Sequence, residues 1–214
     1  MTQKEWPSKP TDFAGEQFID FLIEQRALRF GEFTLKSGIK SPFFINIGDI
    51  HSGNGYRTLG QVLAQKIHDV FPQTTALYGP PYKGISIVTA TAVAYYELYQ
   101  KNLQTFYSRK EIKQHGEGGV FVGYQPGADD HVLIMDDVLT TGGTKLEAIE
   151  LLKNHFRTAI EGILVTVDRR TQNQQTGLPG VRLESIINLQ DIIQYLKRKN
   201  DNRFELLEKF YMGA

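Results

Sequence analysis

The sequence predicts an α/β fold: a mostly parallel central sheet flanked by helices, with a small N-terminal cap. Two observations carry this. Short apolar runs alternate with longer stretches whose apolar residues recur at helical spacing, the pattern of βαβ units joined by right-handed crossovers. One run, Val132-Leu133-Ile134-Met135, has no polar alternation, as expected of a strand covered on both faces. At 214 residues the chain is long enough for one domain with its own core, so residues 1–214 are read as a single unit.

The elements follow in order. The first ten residues, with Pro7 and Pro10, read as a tail. Phe18, Phe21, Leu22 and Gln25 share a helix face, predicting a helix from near Thr11 to Leu28. Gly31, Ser37-Gly38 and Pro42 punctuate a turn-rich or hairpin segment from Phe30 to Asn46; the N-terminal helix and this segment are expected to form a small cap over the carboxyl edge of the sheet, so that about residues 1–46 make up tail and cap. Leu59, Val62, Leu63, Ile67 and Val70 predict a helix from about Tyr56 to Val70. Then come a strand at Ala76-Leu77-Tyr78, a loop from Gly79 to Gly84, and an apolar helix from Ile85 to Tyr99. Thr105 to Tyr107 and Val120 to Val122 read as strands around a polar loop, Arg109 to Gly119. The central strand is Val132 to Asp136, followed by a helix from Thr144 to Phe156, a strand from Gly162 to Val167, a late strand from Ser185 to Leu189 and two closing helices.

Composition narrows the function classes. Lysine plus arginine equals aspartate plus glutamate, so the formal net charge is zero, which speaks against a nucleic-acid binder. There is no cysteine, which excludes disulfides, thiolate catalysis and cysteine-bound zinc. The start, Met1 to Pro7, has no apolar signal core, and no stretch is long enough to span a membrane, so a cytoplasmic enzyme is expected. The histidines show no metal-ligand spacing; His51, His68, His131 and His155 read as surface or helix-end residues.

The chemistry concentrates where the central strand stops. Asp136 and Asp137 follow Met135, and the small-residue turn Thr140-Thr141-Gly142-Gly143-Thr144 follows them. In open α/β sheets the ligand crevice lies beyond the carboxyl ends of the strands. Ionised carboxylates only accept hydrogen bonds, so a pair of them suits the cis-diol of a ribose. The glycines allow a tight turn with backbone N–H groups near an anion. Thr144-Lys145-Leu146-Glu147 has the pattern of a capping box, and a helix N-terminus favours phosphate. A ligand matching both halves is a sugar phosphate. An ordinary strand-to-helix connection is the plain alternative. Neither a P-loop nor a dinucleotide glycine motif occurs.

Three further groups adjoin this point. Arg109, Lys110, Lys113 and His115 fall within seven residues, ahead of Gly116, Gly118 and Gly119, suggesting a mobile cationic lid for a polyanionic leaving group; a solvated surface turn is the alternative. Lys83, after Tyr82, sits where a phosphate could be met, and Lys36 offers a further lysine on the cap. Pro42-Phe43-Phe44-Ile45 offers an aromatic face for a planar base, unless Phe43 or Phe44 is core. Asp168-Arg169-Arg170 ends a strand, and an arginine there suits a carboxylate.

These residues resemble a known family. The string from His131 to Thr144 resembles the diphosphate-sugar signature of type I phosphoribosyltransferases. Phe30 to Gly38, Gly79 to Gly84, Arg109 to Gly118 and Asp168-Arg169 are similar, in the same order, to the orotate phosphoribosyltransferases. The similarity runs from about Phe18 to about Lys197. The resemblance implies the type I phosphoribosyltransferase fold with a mobile catalytic loop at about residues 109–119. It implies a Mg²⁺-dependent transfer of phosphoribosyl from phosphoribosyl diphosphate (PRPP) to orotate, giving orotidine 5′-monophosphate and pyrophosphate in de novo pyrimidine biosynthesis. By resemblance, Asp136 and Asp137 hold the ribose hydroxyls, and Val138, Leu139 and the turn Thr140, Thr141, Gly142, Gly143 and Thr144 complete the phosphate cradle. Lys36, Tyr82, Lys83, Arg109, Lys110, Lys113 and His115 hold PRPP and its diphosphate, with Lys113, Asp137 and Lys110 the catalytic set. Phe44, Ile45, Thr140 and Arg169 contact orotate.

The resemblance also implies a homodimer in which Arg109, Lys113 and His115 reach the partner's site while Lys110 serves its own. Magnesium is expected to bind mainly through PRPP oxygens and waters, with no direct protein ligand. Neither nucleic acid nor membrane is expected as a partner. Two positions depart from the family pattern: Ile45 stands where many relatives have a second aromatic, and Ile39 where a basic residue is common. Two other readings stay open: a phosphoribosyltransferase for another base, and a non-catalytic PRPP-binding regulator.

Overall fold

The computed structural model describes residues 15–35, 38–113, 119–175, 177–178 and 180–213, and the backbone alone for Ile112 and Lys113. Helix α1 (Gly15–Glu24) buries Phe18, Ile19, Phe21 and Leu22. Strands β1 (Leu28–Thr34) and β2 (Lys40–Ile45) pair antiparallel, with Leu28 opposite Ile45 and Phe30 opposite Phe43. Helix α2 (Gly53–Val70) opens on Ser52, whose hydroxyl accepts from the Gly55 amide at 3.0 Å. Next come β3 (Ala76–Tyr78), α3 (Lys83–Tyr99), β4 (Gln104–Lys113), β5 (Gly119–Gly123) and β6 (His131–Leu139). The chain closes with α4 (Gly143–His155), β7 (Ala159–Asp168), β8 (Leu183–Asn188), α5 (Leu189–Arg198) and α6 (Arg203–Met212).

The main sheet has the strand order β5-β4-β3-β6-β7-β8. All its pairings are parallel except β4 with β5 at one edge. Strand β6 is therefore central and covered on both sides. Its Val132 and Ile134 pack with Ala148, Ile149 and Leu152 of α4, while Leu133 and Met135 pack with residues of α1, α2, α3 and α5. All four strand residues are 0% exposed, which accounts for a run without polar alternation. The β1–β2 hairpin lies outside the sheet and meets its carboxyl edge: the Arg169 guanidinium, just past β7, sits 5.3 Å from the centre of the Phe43 ring.

Three expectations change. Helix α1 ends at Glu24, not near Leu28, which instead opens β1 opposite Ile45; the part predicted before Gly15 lies outside the described residues. Strand β6 does not stop at Asp136 but continues to Leu139, because β7 runs alongside and pairs Val138 with Val167 and Leu139 with Asp168. The predicted loop from Arg109 to Gly119 is shorter: β4 runs through Lys113, which pairs with Gly119 of β5. Backbone hydrogen bonds sustain this two-stranded ribbon, and edge strands tolerate charged side chains, so its polar composition concealed it.

Because β6 carries the site on a dry strand, Leu133→Ala should lower unfolding free energy by about 3 kcal/mol. Urea denaturation checks this. A loss under about 1 kcal/mol would mean that the surrounding layers collapse onto the gap.

Candidate active site

The two aspartates occupy consecutive positions of β6, so strand alternation sends their carboxylates to opposite sides of the sheet. Each meets a lysine from a different helix. Asp137 pairs with Lys83, the first residue of α3, at 2.6 Å; Asp136 pairs with Lys145, in the first turn of α4, at 2.8 Å. Backbone amides add further bonds: Asp136 Oδ1 accepts from the Asp137 amide at 2.9 Å and Asp137 Oδ1 from the Val138 amide at 2.8 Å. Burial raises the Asp136 carboxyl pKa above its ordinary value; Lys145 pulls it down and the Asp137 charge pushes it up.

The turn beyond β6 works without a side-chain cap. Gly142, at φ +87°, is the residue before α4, and no side chain caps that helix. The expected Thr144–Glu147 capping box does not form, because Thr144 already lies inside the helix. The Lys145 and Leu146 amides both donate to the Gly142 carbonyl at 3.0 Å. Among the described residues no hydrogen bond engages the Gly143 or Thr144 amides, leaving the orphan donors of a helix start facing the turn. Val138 and Leu139 contribute backbone: Leu139 is 0% exposed, and its carbonyl accepts from the Arg169 amide at 3.1 Å.

The loop after β3 is drawn tight by Gly79. A Cβ there would lie 2.4 Å from the Gly84 carbonyl oxygen, so only glycine lets β3 turn this closely into α3. The loop holds Tyr82 outward, 69% exposed, with the Lys110 ammonium of β4 5.5 Å from its ring centre. Thus Tyr82, Lys83, Lys110 and the aspartates gather around the carboxyl ends of β3 and β6.

Arg169 and Arg170 separate cleanly. Arg170 is bound to Asp168, its Nη2 2.6 Å from Oδ2. Among the described residues Arg169 has no carboxylate partner; burial lowers its pKa, and its guanidinium lies over Phe43. The Asp-Arg step thus leaves Arg169 as the available cation. The expected aromatic face is divided. Phe43 is 0% exposed and core, while Phe44 is half-buried, stacked on Phe33 at 5.5 Å with the Arg29 guanidinium 5.1 Å from its ring centre. Ile45, 7% exposed, belongs to the core, so any contact it makes with a ligand falls to its backbone. The strand pleat puts Phe44 on the face opposite Phe43, so the structure gathers Arg169 with Phe43 and not with Phe44.

Lys36 and His115 lie outside the described residues, as does the Lys113 side chain, although the Lys113 backbone is in β4. Arg109 is a half-buried residue of the same strand, while Thr140 and Thr141 are exposed on the turn. One residue that sequence reasoning passed over is Lys145. It was read only as part of the supposed capping box, yet it precedes Ala148, Ile149 and Leu152 by three, four and seven positions. A lysine on the buried stripe of a helix was the available signal.

The comparisons with known proteins agree with this geometry. Residues 47–193 match the phosphoribosyl transferase domain family. The chain is 40% identical over 195 residues to an orotate phosphoribosyltransferase of Ruthia magnifica, covering 87% of this chain and 91% of that protein. Among solved structures it resembles the orotate phosphoribosyltransferase of Francisella tularensis, with a TM-score of 0.79 and 29% identity over 92% of this chain and 94% of that one. It also resembles Leishmania donovani UMP synthase, with a TM-score of 0.76 and 25% identity, covering 94% of this chain and 43% of that one. The crevice with paired carboxylates beside a glycine turn thus lies within a phosphoribosyltransferase domain. The chain belongs to this family, and within it to the orotate phosphoribosyltransferases.

A pH dependence follows from the raised Asp136 carboxyl. With Asp136 read as an acceptor for PRPP, its protonation would remove that acceptor and an ion pair, so affinity for PRPP should fall on acidification at a pH above that of an ordinary aspartate, about 3.9. Calorimetric titration across pH checks this; affinity that stays level down to about pH 4 would contradict it.

Proposed function

We propose that the protein transfers the 5-phosphoribosyl group of PRPP to orotate, releasing pyrophosphate and forming orotidine 5′-monophosphate on the route to UMP. The observation that carries this is the meeting, at the carboxyl ends of β3, β6 and β7, of the lysine-held Asp136–Asp137 pair and the half-buried Arg169. A ribose fits the first and a carboxylated acceptor the second.

In this reading Asp136 and Asp137 accept the ribose hydroxyls, and the Gly143 and Thr144 amides with the Thr140 and Thr141 side chains take the 5′-phosphate. Lys83, Tyr82, Lys110 and Lys36 meet the diphosphate. Arg169 grips the orotate carboxylate with two parallel hydrogen bonds. Thr140 and the Ile45 backbone border the base, while the Phe44 ring, on the face of β2 opposite Phe43, does not meet Arg169. Breaking the bond at C1 builds positive charge on the ribose and negative charge on pyrophosphate. Orotate is already anionic, so the residues act by alignment and charge stabilisation more than by proton transfer. Lys113 is the principal cation for the leaving group.

Mg²⁺ is the proposed cofactor and supplies further neutralisation of the diphosphate. Among the described residues no group of three or more histidine, cysteine, aspartate or glutamate side chains is placed to hold a metal, and both aspartates are engaged by lysines. The ion therefore fits best on PRPP oxygens and waters. Charged phosphates do not cross membranes unaided, so the enzyme is assigned to the cytoplasm with its substrates; no helix among the described residues is long and apolar enough to cross a membrane.

A homodimer is proposed with it. Helix α3 exposes Val93 and Tyr96 at 57% and 48%, beside an apolar groove of about 680 Å³ lined by Tyr56, Tyr82, Ile85 and Ala90. Covering this face with a second copy would bring each ribbon toward its neighbour's site, with Arg109, Lys113 and His115 reaching across and Lys110, already over Tyr82, serving its own chain.

The direct test is loss of the orotate ultraviolet band with PRPP and Mg²⁺. Arg169→Ala should raise the orotate KM at least about tenfold while leaving the PRPP KM within about threefold. Turnover with a purine or uracil but not orotate would overturn the assignment. For the dimer, Lys113→Ala and Asp137→Asn should each be nearly inactive alone, whereas a mixture refolded together should recover activity through sites that combine two intact halves. Recovery no greater than the sum of the two would show that each chain completes its own site.

A further inference from the structure

The Lys145 ammonium is nearly enclosed. Its side chain is 6% exposed and that of Asp136 14%, whereas Lys83 of the other pair is 45% exposed. Its hydrogens point in three directions: to Asp136 Oδ2 at 2.8 Å, to the Val138 carbonyl oxygen at 2.7 Å and to Thr144 Oγ1 at 3.4 Å. These acceptors lie on the two segments that the phosphate turn joins, the end of β6 and the start of α4. A buried lysine charge is costly to desolvate unless so paired, and this one directs its bonds to an aspartate and a carbonyl of the crevice.

We propose that Lys145 is a positioning residue for the transfer reaction, orienting Asp136 toward the ribose hydroxyls and clamping the phosphate turn from beneath. It touches no substrate. With Oδ2 held by Lys145 and Oδ1 by the Asp137 amide, both oxygens of the Asp136 carboxylate are fixed in place. The exposed Lys83 is free to exchange Asp137 for a ligand anion, but Lys145 has no such exit. The inference rests on the reading of the aspartates as ribose-holding groups.

The groups facing Asp136 are Lys145 of α4, Asp137 beside it on β6, Lys83 of α3 through Asp137, and Tyr78 of β3. Lys145 is the only cation in direct contact with it among the described residues. Removing that charge leaves burial and the Asp137 charge opposed only by the Asp137 amide hydrogen bond, so Asp136 should take up a proton at higher pH than before.

The test measures PRPP dissociation constants calorimetrically from about pH 5 to about pH 9, with kcat and both KM values, in the wild type, Lys145→Met and Lys145→Gln. The glutamine keeps amide donors for the Val138 carbonyl and serves where the methionine fails to fold. The expected result is a PRPP dissociation constant raised about tenfold near neutrality, an acid limb moved up by about one pH unit, and kcat at saturating PRPP within about threefold. A purely structural lysine would lower thermal stability without moving the limb. An unmoved limb with PRPP affinity within about twofold of wild type would overturn the proposal, as would failure of both variants to fold. If the wild type itself binds no PRPP, the functional reading falls and takes this role with it, an outcome distinct from the others.

Discussion

Two carboxylates on adjacent residues of a dry strand are an electrostatic liability. They repel one another, and each loses water as the sheet closes around it. The site around Asp136 and Asp137 answers that constraint in three ways. The pleat of β6 sends the two charges to opposite sides of the sheet, backbone amides serve one oxygen of each, and two lysines from different helices neutralise the pair. Lys83 opens α3 and Lys145 lies in the first turn of α4, so the helix starts that bring backbone donors to the crevice also bring the compensating cations.

The sheet makes this economical. Parallel strands all point their carboxyl ends the same way, so β3, β6 and β7 deliver the loop bearing Tyr82 and Lys83, the carboxylates and Arg169 to one edge without long excursions. The hairpin β1–β2 then bounds that edge through Phe43, whose ring lies under Arg169 and edge-on to Phe210 of α6. The geometry thus joins a scaffold that is rigid for reasons of packing to side chains that are polar for reasons of chemistry.

Much of this was legible in the residues. The apolar run Val132 to Met135 announced a covered strand, and the aspartates and glycines after it announced an anion-binding carboxyl edge, since those features depend only on local sequence and strand direction. What escaped was set by partners distant in the chain. The continuation of β6 depends on β7, the bridge of Lys113 to Gly119 depends on β5, and the lost capping box depends on where α4 begins. The division of Phe43 from Phe44 follows from strand register, and a shift of one residue would have reversed it. Lys145 was hidden because a lysine is usually assigned to water; its place on the stripe of Ala148, Ile149 and Leu152 outweighs that habit only once the aspartate behind it is known.

In the proposed reading, the contact between Lys83 and Asp137 would act as a gate on entry. At 2.6 Å each satisfies the other, so an anion drawn to Lys83 has to displace a carboxylate and strand it without a counter-charge. A lone phosphate ion leaves that debt outstanding. A molecule with an anion at one end and hydroxyl donors a few bonds away settles it, because the hydroxyls come to rest on the carboxylate that the anion has released. Occupancy of the two halves is then linked by a coupling free energy that an isolated fragment cannot collect. On that reading, selectivity for the whole diphosphate sugar over its pieces would arise from the salt bridge that the ligand breaks.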